Sequence, residues 1–285
     1  MIRPIRARNR TIERTILLVV FVLASAAALS VAAQAVRLST EAEMVEHLMQ
    51  APCENKDRLD AVRELFVQAG ADEADIRIDS FRNVENLVVT KKGATNETII
   101  VGAHYDKTKD GCGTIDNWSG IVIIAHLYRT LSEKETEKTL VFAAFGKEEI
   151  GLVGSGAMAR SIPTNERGSY CAMVNFDSFG MGPPQVLSNV SDRKLTDLAE
   201  EISKELEIPF GKAGIDMASS DSASFRNQRI PAVTLHGLGP KWFETIHTSK
   251  DTFQNIIPNS VYLGYRHGLV MLERIDARPC NAFRR

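Results

Sequence analysis

The stretch Thr98-Ile99-Ile100-Val101-Gly102-Ala103-His104-Tyr105-Asp106 decides how this chain folds. Its first six residues are apolar, small or β-branched without polar alternation, the pattern of a strand buried on both faces. A histidine and an aspartate then close the run. Thr139 to Phe145 and Ala172 to Phe176 repeat the pattern, with helical segments from Asn117 to Leu131 and from Leu152 to Arg160 between them. A fourth run, Ile230 to Leu235, follows a helix expected over Asp192 to Leu206. Upstream, Thr40 to Met49 and Asp57 to Ala69 read as amphipathic helices. Asp75 to Phe81 alternates polar with apolar and Asn86 to Thr90 is a short apolar run, so both read as strands. Buried strands separated by helices define an α/β fold whose sheet is covered on both faces.

Of 285 residues, 44% are apolar and 25% charged, with 34 Lys plus Arg against 36 Asp plus Glu. These proportions exclude a disordered, collagen-like or polytopic membrane chain. The net charge of -2 leaves no basic excess to neutralise phosphates, so no nucleic-acid partner is expected. The charge is unevenly spread, however. Residues 1–35 hold Arg3, Arg6, Arg8, Arg10 and Arg14 against Glu13, then an apolar run from Ile16 to Ala24 and a small-residue stretch ending Ala33-Gln34-Ala35. That order is a secretory signal with cleavage expected after Ala35. An uncleaved anchor is the alternative, since Ile16 to Ala35 reaches the roughly 20 residues that span a bilayer. In both cases the basic flank puts residues 36–285 outside the cytoplasm, secreted or periplasmic, with membrane attachment only if the segment is retained. Setting aside the +4 of residues 1–35 changes the net charge from -2 to -6 for the mature chain. No repeat or linker divides that chain. Cys53, Cys112, Cys171 and Cys280 allow two bridges in three connectivities, or free thiols, and do not form a zinc thiolate set.

Sites in open α/β sheets form beyond the carboxyl ends of strands. His104 closes the first buried run, Glu148 and Glu149 follow the second, Asp177 follows the third, and Asp116 opens the first internal helix. Such a cluster cannot stay ionised and unpaired at a partly buried edge, because like charges and desolvation both oppose it. A bound dication resolves the conflict. Other catalytic patterns fail: Ser155 lacks the first Gly of G-x-S-x-G, and neither G-x-G-x-x-G nor a phosphate-cradling G-K-[ST] is present. His47, His126 and His267 fall on helix candidates and read as structural, while His236, ending a strand candidate, is a reserve ligand.

Five segments, His104-x-Asp106, Asp116-Asn117-Trp118-Ser119-Gly120, Glu148-Glu149-Ile150-Gly151, Asn175-Phe176-Asp177 and His247-Thr248-Ser249-Lys250-Asp251, occur in the order seen in co-catalytic zinc exopeptidases. The chain resembles the secreted aminopeptidase branch of that family, whose relatives include glutaminyl cyclases and glutamate carboxypeptidase-like proteins. The resemblance covers about Val84 to Ile257. It implies a single three-layer α/β domain over residues 36–285 with a mixed, mostly parallel central sheet. It also implies two zinc ions per chain: one held by His104 and Asp177, one by Glu149 and His247, with Asp116 bridging and Glu148 as general base.

Within that reading, Asp106 is expected to orient the His104 imidazole and Asp251 to support His247. Phe179, Met181, Met217, Asp221, Phe225 and Phe243 are pocket candidates by position. The implied activity is removal of N-terminal residues from peptides with a free N-terminus, by a monomer. A glutaminyl cyclase is an alternative, against which Ile246 counts, since cyclases place Trp there. A metal-bearing ectodomain without turnover is a third reading, opposed by the completeness of the ligand set. Many relatives have His where this chain has Ser222.

Overall fold

The computed structural model describes Met1 and residues 36–214 and 219–284. Residues 2–35 of the expected signal or anchor lie outside those described, as does Met217. In chain order the elements are α1 (Glu41–Leu48), α2 (Asn55–Gln68), β1 (Ile76–Phe81), β2 (Val84–Lys91), β3 (Thr98–His104), α3 (Ser119–Ser132), β4 (Thr139–Phe145) and α4 (Val153–Ser161). They continue as β5 (Tyr170–Phe176), β6 (Gln185–Leu187), α5 (Arg193–Glu205), β7 (Gly211–Ala213), α6 (Ser222–Asn227), β8 (Ala232–His236) and α7 (Pro258–Asp276).

Among the described residues, eight strands join one sheet in the order β1-β2-β4-β3-β5-β8-β6-β7. The centre, β4-β3-β5-β8, is parallel throughout, whereas β1, β2 and β6 pair antiparallel around it. The uninterrupted apolar runs follow from this placement. Ile99, Val101 and Ala103 pack into the larger core with α1, α2, α3, α5 and α7, whereas Ile100 joins Met158, Ala159 and Phe225 of α4 and α6 on the other face. Successive side chains of a strand point to opposite faces, so a strand covered on both sides needs apolar residues at every position.

Register then brings the chemistry together. His104 pairs with Phe145 across β3 and β4, and Phe176 with Leu235 across β5 and β8. The residues immediately after these positions therefore emerge at one edge of the sheet. The cysteines form Cys53–Cys112 and Cys171–Cys280, which selects one of the three connectivities. The first ties the segment before α2 to the loop after β3, and the second ties the start of β5 to the C-terminal segment.

Candidate metal centre

Asp116 stands at the middle of the site. Its Oδ1 lies 3.2 Å from His104 Nε2, which is also 3.4 Å from Asp177 Oδ1. Its Oδ2 lies 3.0 Å from His247 Nε2, which is also 3.1 Å from Glu149 Oε2. One carboxylate thus faces two imidazoles, each paired with a further carboxylate. Each imidazole nitrogen has one proton at most for two carboxylate oxygens, and three such atoms facing one another leave room for a cation between them. Donors about 2.0–2.1 Å from a tetrahedral zinc stand roughly 3.3 Å apart, which these separations match.

The tautomer of His104 strengthens the fit. Its Nδ1 is 3.1 Å from the carbonyl oxygen of Asp106, which can only accept. Nδ1 therefore carries the proton, and a neutral His104 turns a bare Nε2 lone pair toward Asp116 and Asp177. Only a cation, a metal or a second proton, satisfies that arrangement. Accordingly, burial disfavours the charged imidazole, yet Glu148, Asp106, Asp116 and Asp177 outweigh it and hold the His104 pKa well above its ordinary value. Hydrogen bonds to Asp116 and Glu149 likewise push His247 up to about 10. Glu149 Oε1 is buried without a hydrogen-bond partner, a further acceptor awaiting a cation. A second cluster, Glu97 with Cys171 and Cys280, offers no such site because its sulfurs are joined to each other.

Glu148 sits in a different environment from its neighbour. Burial, with Asp221, Asp177 and Asp116 nearby, drives its pKa well above that of an ordinary carboxylate, against the pull of His104. Asp221 is fully buried, and burial raises its pKa to about 7 against the pull of His104 and Ser155. Lys147, Ser178 and His247 adopt left-handed backbone conformations beside the cluster. Such turns are uncommon for side-chain-bearing residues and here redirect the chain sharply at the ends of elements that carry ligand candidates.

The supporting residues act largely through the backbone: Asp106 meets His104 Nδ1 as expected but mainly by its carbonyl, whereas Asp251 serves a different ligand from the one expected. The Asp106 carboxylate accepts from the amides of Glu148 and Glu149 at 2.9 and 3.2 Å. Its oxygen is 3.6 Å from His104 Nδ1, so the imidazole is oriented mainly by the Asp106 carbonyl. Asp251 accepts from the amides of Ile115 and Asp116 at 2.7 and 3.1 Å, and so positions Asp116 rather than His247. A cis peptide joins Asp116 to Asn117. Asn117 donates to the Phe176 carbonyl and accepts from Gly120 and Ser178 amides, while Ser119 Oγ accepts from the Phe179 amide. A Cβ on Gly120 would come within 2.4 Å of the Phe176 carbonyl oxygen. The Asp-Asn-x-Ser-Gly segment therefore clamps the loop that carries Asp177.

Nothing in the sequence marks Arg58, one polar position of an amphipathic helix. It is fully buried, stacks on Trp118 at 5.3 Å, and donates to the carbonyls of Pro52, Tyr105, Cys112 and Gly113. Burial lowers its pKa to about 10, opposed by Asp106, Asp251, Asp116 and Glu149, so it remains a cation behind the carboxylates.

A cavity of about 400 Å³ opens over the cluster, walled by Leu187, Leu238, Trp242 and Ile246 and by Ser178, Thr234 and His236. None of the described pocket candidates, Asp221 included, lines it. Phe179 is fully buried under Gly237 and Gly264, and Phe225 packs on Phe145 in the smaller core. Phe243 is 61% exposed, and its neighbour Trp242 takes the wall position instead. Met181 packs at the margin of the larger core. Alternation and helical spacing cannot tell a core aromatic from a pocket aromatic at loop positions.

The chain matches the model of Peptidase family M28 over residues 86–263. It is 27% identical over 247 residues to a probable leucine aminopeptidase from Arthroderma otae, covering 75% of this chain and 64% of that one. It thus spans less than two thirds of that relative's length. Among solved structures it resembles an aminopeptidase from Aneurinibacillus sp. strain AM-1, with a TM-score of 0.59 and 29% identity over 68% of this chain and 48% of that one. It also shares its fold with a glutaminyl cyclase from an Acidobacteriales bacterium, with a TM-score of 0.71 and 16% identity over 84% and 94% of the two chains.

Proposed function

The chain belongs to Peptidase family M28, and from that premise we propose that it is an exported zinc aminopeptidase that releases N-terminal residues from peptides. Residues 1–35 serve as the export signal in this reading, and residues 36–285 as the catalytic domain. The observation that carries it is the convergence of His104 with Asp177, and of His247 with Glu149, on the two oxygens of Asp116. Two zinc ions held by these five residues would polarise the scissile carbonyl and acidify water.

The remaining work falls to side chains. Glu148, raised in pKa and adjacent to the cluster, accepts the proton of the attacking water and returns it to the leaving amine. Asp106 fixes the backbone from which Glu148 and Glu149 diverge, so that one binds metal while the other moves a proton. The apolar wall of Leu187, Leu238, Trp242 and Ile246 excludes water around the N-terminal residue.

Purified enzyme is expected to contain about two zinc equivalents, to hydrolyse aminoacyl anilides, and to lose that activity with a chelator and regain it with zinc. Hydrolysis that persists at full rate in metal-stripped protein would sink the reading.

A further inference from the structure

A second cavity, of about 580 Å³, opens at the other end of the sheet. Pro231, which lines it, precedes β8, and Arg284, which also lines it, donates to the Tyr170 carbonyl where β5 begins. The metal cluster lies beyond the carboxyl ends of the same two strands, and the two cavities share no residue.

Three arginines line this second cavity, Arg226, Arg229 and Arg284, against one carboxylate, Asp192. That carboxylate is already engaged: its Oδ2 accepts from the Ala232 amide at 3.0 Å and lies 3.5 Å from Arg226 Nε. The Arg284 guanidinium donates to the carbonyls of Arg229, Arg167, Gly168 and Tyr170, which fix its position without supplying a counter-charge. Arg229 is exposed, and among the described residues its side chain has no hydrogen bond or ion pair. Guanidinium groups stay protonated in proteins, so three of them against Asp192 give the cavity a formal charge of +2. The mature chain as a whole is acidic. A cleft lined by one sign of charge concentrates the opposite ion.

We propose that this cavity binds a phosphate dianion, free or as the ester of a small molecule. A dianion matches the charge, whereas a single carboxylate would leave half of it unmet. Guanidinium forks also fit phosphate oxygens in pairs. The volume lies within the roughly 300–1,000 Å³ of small-ligand pockets and leaves room for the esterified group. A nucleic-acid backbone fits less well, because it needs cations spread along a surface and these are gathered in one pocket. The inference stands apart from the aminopeptidase reading.

The test titrates the zinc-loaded protein calorimetrically at about pH 8, where phosphate is a dianion. Inorganic phosphate and glycerol phosphate are used in turn, with ionic strength matched by chloride. Wild type is expected to bind one more equivalent of anion than Arg229→Glu. Arg229→Gln should bind that equivalent about 10- to 100-fold more weakly, the worth of one hydrogen bond between charged groups. Both substitutions fall on an exposed side chain without polar partners, so the fold is kept. Phosphate held at the zinc ions is read separately, as inhibition of anilide hydrolysis, and should be the same in all three proteins. Tighter binding of glycerol phosphate assigns the site to phosphorylated small molecules, and tighter binding of inorganic phosphate assigns it to the free ion. Identical isotherms for wild type and both variants, or binding of neither anion, overturn the assignment.

Discussion

Glu148 and Glu149 are adjacent in sequence, and the fold gives them opposite surroundings. Glu149 Oε2 meets the His247 imidazole, whereas Glu148 faces buried carboxylates that favour a proton-holding group. Glu148→Gln is therefore expected to retain its zinc while kcat falls by about 10²- to 10⁴-fold. Metal analysis alongside turnover separates the base from a ligand, and an unchanged kcat would remove it from the base role. Asp251→Asn tests the support of Asp116: an amide offers one acceptor oxygen for two backbone N–H groups, so one of them loses its partner. Zinc affinity in chelator competition should fall about 10- to 100-fold, and an unaltered affinity would show that Asp251 does not position the bridge. The residue types of this site were legible in the sequence because a carboxylate or histidine closing a buried apolar run is costly unless a cation or a partner holds it. The hold of the Asp106 and Asp251 carboxylates on the chain was not. Both bind backbone amides, Asp251 across 135 positions, and no side-chain pattern records an amide's direction.

At the scale of elements, the four parallel strands were readable because burial on both faces forces continuous apolar runs. The three-residue strands β6 and β7 and the six-residue helix α6 are too short for any period to show. Helix α3 begins two residues later than its expected start, since Asp116 and Asn117 hold non-helical conformations to make their contacts. Elements here are also held by covalent ties. Cys171–Cys280 joins positions 109 apart, anchoring the C-terminal segment to the first strand residues of β5. Loop-closure entropy in the unfolded chain makes such a bond worth about 2–5 kcal/mol. The double variant Cys171→Ala/Cys280→Ala should lose stability of that order in urea titration while its zinc content is kept, because the bridge lies away from the metal cluster. Equal midpoints for variant and parent would show that the tie contributes nothing.

The molecule as a whole should be sensitive to acid through its neutral histidines. His267 of α7 donates from Nε2 to the Ala199 carbonyl in α5, and its Nδ1 is buried without a partner. Burial, opposed by that hydrogen bond, lowers its pKa to about 4; burial likewise holds His126 at about 3 and His236 at about 4. In the unfolded chain each returns to its ordinary value near 6.5. Between those limits the unfolded state binds the proton that the folded state refuses, so stability falls as pH drops from about 6.5 toward 4. For His267 alone the loss amounts to about 2 kcal/mol at pH 5 and about 3 kcal/mol by pH 4. His267→Gln keeps a donor for Ala199 and removes the titration. Urea unfolding of both proteins from pH 7.5 to 4 should give a flatter curve for the variant, the gap widening through that window. Zinc release in acid lowers both curves together and cancels in the comparison. Parallel curves would mean that His267 is protonated in the folded protein, and the buried contact with Ala199 would then have to be redrawn.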